Sequence, residues 1–101
     1  VVVPYCDGSV FAGEAEKNGL LFRGRAILRA VVSELLQLGA RRAAKVVLAG
    51  ASSGATALFY HADYIRGRLR LRNGEVVAMA DSGYLLDQSD LEHGHCFPDQ
   101  Y

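Results

Sequence analysis

The stretch "VVLAGASSGATALFYHAD", residues 46–63, runs apolar, dissolves into very small residues and then resumes in a helical pattern. Two chemistries can be spelled in these letters. Read as Gly50-Ala51-Ser52-Ser53-Gly54, it fits the G-x-S-x-G nucleophile elbow, in which the middle serine attacks an acyl carbon. Read as a glycine-rich strand-to-helix turn, it fits a loop whose backbone amides hold a dinucleotide pyrophosphate. Plain small-residue packing between a strand and a helix is the third possibility. An elbow requires tiny residues two places before and two after the serine, because the turn is strained and the following helix lies close to the strand. Gly50 and Gly54 occupy those places. The elbow also supplies an oxyanion donor, the backbone amide of the next residue at the helix N-terminus, here Ser53. The dinucleotide reading wants a third glycine where Thr56 stands, and a place after the first strand of the fold. An acid at the end of the next strand would serve its ribose, and Asp81 is such an acid.

Working outward, Lys45–Ala49 read as a short strand, and Ala55 to about Arg68 as a helix. Glu75–Ala80 form another apolar strand. Upstream, Val1–Tyr5 read as a buried strand, with Pro4 near its end. The segment "CDGSVFAGEAEKNG" has the Gly, Asp, Ser and Asn density of a functional loop. From Phe22 to Leu38, apolar residues at Ile27, Leu28, Val31, Val32, Leu35, Leu36 and Leu38 recur at helical spacing, closed by Gly39. Strands alternating with helices predict an α/β fold, a mostly parallel sheet with helices covering both faces.

The chain has 101 residues, half of them apolar, which makes one domain at most and excludes disorder. No apolar run is long enough to span a membrane, and no leader is visible. Eleven Lys and Arg balance eleven Asp and Glu, which argues against a dedicated nucleic-acid binder. Every Lys and Arg falls at or before Arg72, however, and Asp81, Asp87, Asp90, Glu92 and Asp99 follow. The run "RGRLRLR", Arg66–Arg72, is read as a solvated helix exit, although such a run can attract an acidic polysaccharide. Cys6 and Cys96 can pair with each other, pair elsewhere or stay free. No metal-ligand spacing is present, so no metal or cofactor is expected.

Other candidate residues have simpler roles. His61 lies on the apolar side of its helix, the place of a hydrogen-bonded structural histidine. Asp81 closes a strand at the sheet edge where sites collect, and is a candidate to shape one. Asp7 is read as a turn residue, with a substrate-side role as the alternative. His93 and His95 follow Ser52 in the chain order of a hydrolase triad, with Asp81, Asp87 or Asp90 as orienter, but read as loop residues.

Four pieces in order, "VPYCDGSVFAG", "LLFRGRAILRAVVSELL", "VVLAGASSGATALFYHAD" and "ADSGYLLD", resemble the pectin acetylesterase/Notum family of carboxylesterases. The family pattern is "G-x-S-A-G-G" at the elbow and "HCD" in the next helix; here Ser53 and Ala55 stand in the first, and Ala62 replaces the cysteine of the second. The resemblance implies an α/β-hydrolase sheet, with Ser52 as nucleophile and the Ser53 amide in the oxyanion hole. It also implies a secreted, cofactor-free enzyme acting on acetyl or related acyl esters of a carbohydrate such as pectin. Residues 1–101 then form the central, nucleophile-bearing part of one catalytic domain. The triad acid and base, and a glycine-rich oxyanion segment, are expected outside them. The rival classes are a dinucleotide-binding oxidoreductase and a non-catalytic binding module with a hydrolase fold.

Overall fold

Two seven-residue strands, β3 (Lys45–Ala51) and β4 (Glu75–Asp81), form the centre of the computed structural model, which describes residues 1–84. They pair in parallel, in register from Lys45 opposite Glu75 to Ala51 opposite Asp81. Parallel neighbours need a crossover, and the 17-residue helix α2 (Ser53–Leu69) supplies it. Ahead of them come a hairpin, β1 (Ala15–Lys17) and β2 (Leu20–Phe22), and helix α1 (Gly24–Gln37). The hairpin turns on Asn18 (φ 52°) and Gly19 (φ 75°), both left-handed, as a type I′ turn requires. Helix α1 stops where the sequence places its stop: Gly39 is left-handed at φ 92°, and its amide donates to the Leu36 carbonyl.

The core lies on one side of the sheet. Val32 of α1 and Ile65 and Leu69 of α2 are buried together, and Val46, Leu48 and Val76 of the strands pack against them. Residues of opposite parity point the other way: Val47 is 54% and Met79 60% exposed, with Val77 beside them. Among the described residues, both helices therefore cover the same face, and the expected covering of both faces is not seen.

The expected strand Val1–Tyr5 is also absent. These residues are irregular, and Val1 is 98% exposed. Apolar β-branched side chains favour an extended backbone, but a strand exists only against a partner, and no described segment pairs with this one. No helix among the described residues is long and apolar enough to cross a membrane.

Candidate active site

The carboxyl ends of β3 and β4 carry the residues singled out by the sequence. Ser52 stands alone between β3 and α2, with φ 52° and ψ −117°. This backbone conformation is costly for a residue with a side chain, and a strained strand-to-helix turn is what the elbow reading of Ser52 requires. The Ser52 amide donates to the Asp81 carbonyl (3.0 Å), and its carbonyl accepts from the Thr56 amide (3.0 Å). The turn is thus tied both to the neighbouring strand and to its own helix. Its side chain does not cap α2, and the residue is exposed. Ser53 opens the helix, where amides have no intrahelical acceptor and face incoming negative charge.

The two glycines that flank Ser52 differ. A Cβ on Gly50 would meet the backbone carbonyl of Gly54 and come within 3.0 Å of the Ala55 amide nitrogen. A Cβ on Gly54 would meet nothing within 4 Å among the described residues. The close approach of helix to strand therefore requires glycine at 50, and no such crowding requires it at 54. Ala55 is fully buried at this crossing. On its other side lies Gly83, where a Cβ would meet the Ala55 side chain and reach Phe59 at 3.3 Å. The Asp81-Ser82-Gly83 turn consequently lies on the first turns of α2. Ser82 is left-handed (φ 55°), and its hydroxyl donates to Asp81 Oδ1 at 2.9 Å. Asp81 is exposed beside the elbow and connected to Ser52 through the backbone.

A second strained segment faces α2. Val10 (φ 47°) and Phe11 (φ 60°) are consecutive left-handed residues, uncommon for any side chain and exceptional for a β-branched one. Asp7 holds them in place. Its Oδ2 accepts from the Ser9 amide (3.2 Å), the Ser9 hydroxyl and the Phe11 amide (3.1 Å), and the Ser9 hydroxyl in turn accepts from Gly13. Asp7 Oδ1 is buried with no hydrogen-bond partner among the described residues. His61, buried on α2, closes the arrangement: its Nε2 lies 2.9 Å from the Val10 carbonyl. A carbonyl only accepts, so Nε2 carries the proton. The sequence marks this loop through its polar density, and His61 as structural, but nothing in it points to Val10 or Phe11. His61→Ala is expected to destabilise the protein by about 1–3 kcal/mol, because the half-buried Val10 carbonyl loses its donor. Thermal unfolding measures this, and an unchanged midpoint would mean the loop is held without His61.

Among the described residues no cluster of His, Cys, Asp or Glu suits a metal ion, and Cys6 is exposed with no disulfide partner among them. His93, His95, Asp87, Asp90 and Cys96 lie outside the described residues.

A family model described as Pectinacetylesterase matches residues 1–101. Pectin acetylesterase 5 of Arabidopsis thaliana is 40% identical over 96 residues, covering 90% of this chain and 22% of that protein. Pectin acetylesterase 7 of the same plant is 37% identical over 105 residues, covering 100% of this chain and 27% of its own length. The human palmitoleoyl-protein carboxylesterase Notum is 35% identical over 102 residues, 95% of this chain and 21% of that protein. The chain thus spans between 21% and 27% of the length of these relatives. The match takes in the Asp7 loop, the strained serine and the Asp81 turn, and the chain belongs to the pectin acetylesterase family.

Proposed function

We propose that this chain is the nucleophile-bearing central part of a longer serine carboxylesterase, which removes acetyl groups from a polysaccharide such as pectin. The observation that carries the reading is Ser52, held at φ 52° between a parallel strand and a helix in a chain of this family. The Ser52 hydroxyl attacks the acyl carbon while a base takes its proton, and the carbonyl oxygen gathers negative charge beside the Ser53 amide. Collapse breaks the bond to the sugar oxygen, which takes the proton from the base and leaves as a hydroxyl. Water then attacks the acyl-serine and releases acetate and the free enzyme. Asp81, next to the elbow, shapes the rim of the site. The base and its acid come from chain beyond the described residues. The plant relatives carry pectin acetylesterase in their names and the animal ones palmitoleoyl-protein carboxylesterase, which supports an ester substrate and leaves the acyl group to experiment. Secretion follows the same proposal, since an acetylated polysaccharide substrate lies outside the cell.

A fluorophosphonate, which reacts only with an activated serine, tests the assignment. Digestion and mass spectrometry of the labelled longer protein should place the adduct on Ser52, with concurrent loss of acetate release from acetylated pectin. An adduct on another serine, or binding of a nicotinamide cofactor without labelling, would overturn it.

A further inference from the structure

The end of the sheet opposite Ser52 carries a concentration of positive charge. A short 3-10 turn, Ala40–Arg42, precedes β3, and the residues before β4 fold against it. The Arg72 amide donates to the Arg41 carbonyl (3.3 Å), and the Glu75 amide to that of Ala44 (3.2 Å). Gly74 lies so close that a Cβ there would meet the Ala43 carbonyl oxygen at 2.5 Å. These contacts bring Arg41, Arg42, Arg72 and Asn73 around one open cleft of about 280 Å³, floored by Ala43 and Ala44. All three arginines are exposed. Among the described residues none is paired with a carboxylate, and the neighbouring acid, Glu75, is engaged by Lys45. A second cavity, of about 180 Å³ beside His61, has its Arg25 facing Glu14 at 3.7 Å and lacks such a surplus.

We propose that this cleft is a docking site for the carboxylates of an acidic polysaccharide. Guanidinium groups present paired donors that match a carboxylate, and Asn73 adds an uncharged amide for a sugar hydroxyl. The cleft lies at the amino ends of β3 and β4 and Ser52 at their carboxyl ends, a separation of about 20 Å at the rise of an extended strand. A polymer held in the cleft is tethered, so its other residues meet the elbow at raised local concentration. The identity of the polymer, a polyuronate, rests on the reading of the enzyme as a pectin acetylesterase; the cleft itself does not.

The test is binding of unesterified polygalacturonate to the longer protein in a Ser52→Ala background, which separates docking from turnover. Arg41→Ala/Arg42→Ala/Arg72→Ala is expected to weaken binding at least tenfold and flatten its salt dependence. In the active enzyme the same triple change should raise KM for acetylated pectin and leave hydrolysis of a small acetyl ester unaltered. Arg66→Ala/Arg68→Ala, which removes charge outside the cleft, should retain most of the binding. Undiminished binding by the triple variant, an equal loss in the Arg66/Arg68 variant, or tighter binding of dextran sulfate than of polygalacturonate would overturn the proposal. A Ser52→Ala protein that still hydrolyses esters would overturn the catalytic reading alone, since the binding measurement does not depend on it.

Discussion

Ser52→Ala in the longer protein is expected to lower kcat for acetyl esters by about 10⁶, the loss that follows removal of a triad nucleophile. The fold should survive, because the Ser52 side chain does not cap α2, and the two hydrogen bonds that tie the turn to β4 and α2 use its backbone. Ser52→Gly should be equally inactive yet more stable than the alanine variant by about 1 kcal/mol, since only glycine adopts φ 52°, ψ −117° without strain. Ser53→Ala should change kcat less than threefold, because the proposed role belongs to its amide. Steady-state kinetics and thermal unfolding of the three variants check these expectations together. A tenth of the activity remaining in Ser52→Ala would remove the nucleophile assignment, whatever the stability data show.

The strand-turn-helix around Ser52 was legible because every local signal agrees: apolar β-formers, a cluster of tiny residues, then helical spacing. Helix α1 and its Gly39 stop were legible for the same reason. The hairpin was hidden although Asn18-Gly19 is a strong turn signal, because "AEK" and "LLF" lack the alternation that marks strands. Val1–Tyr5 misled in the opposite sense, since its residues suit a strand and its partner is not among the described elements. Contacts between distant residues left no trace at all. His61 meets Val10 across 51 positions, and neither residue type announces the other. The run Arg66–Arg72 read as one solvated exit, but the fold divides it. Arg66 and Arg68 end α2, Arg70 is its left-handed cap, and Arg72 joins Arg41 on a different loop. A charge pattern along the chain thus says little about which charges share a surface until the crossovers are known.

Gly50→Ala is expected to disable the site from within the strand. The added Cβ would overlap the carbonyl carbon and oxygen of Gly54 and crowd the Ala55 nitrogen at 3.0 Å. These are backbone atoms of the first turn of α2, with no rotamer to yield, so the helix must move away from β3. Overpacking of this kind costs about 1–3 kcal/mol. The larger consequence falls on Ser52, fixed between the two elements that separate, because a displacement of about 1 Å at a reacting group costs on the order of 100-fold in rate. Gly50→Ala should therefore lower kcat at least 100-fold with only a modest fall in melting temperature. Gly54→Ala supplies the contrast. Its Cβ enters open space within a helix, where alanine is favoured over glycine by up to about 1 kcal/mol. That variant should keep its activity and melt at the same temperature or slightly higher. If Gly54→Ala proved the damaging change and Gly50→Ala were silent, the close crossing of α2 over β3 would not be what holds Ser52 in its strained conformation, and the support would have to come from the Asp81 turn, whose carbonyl accepts the Ser52 amide.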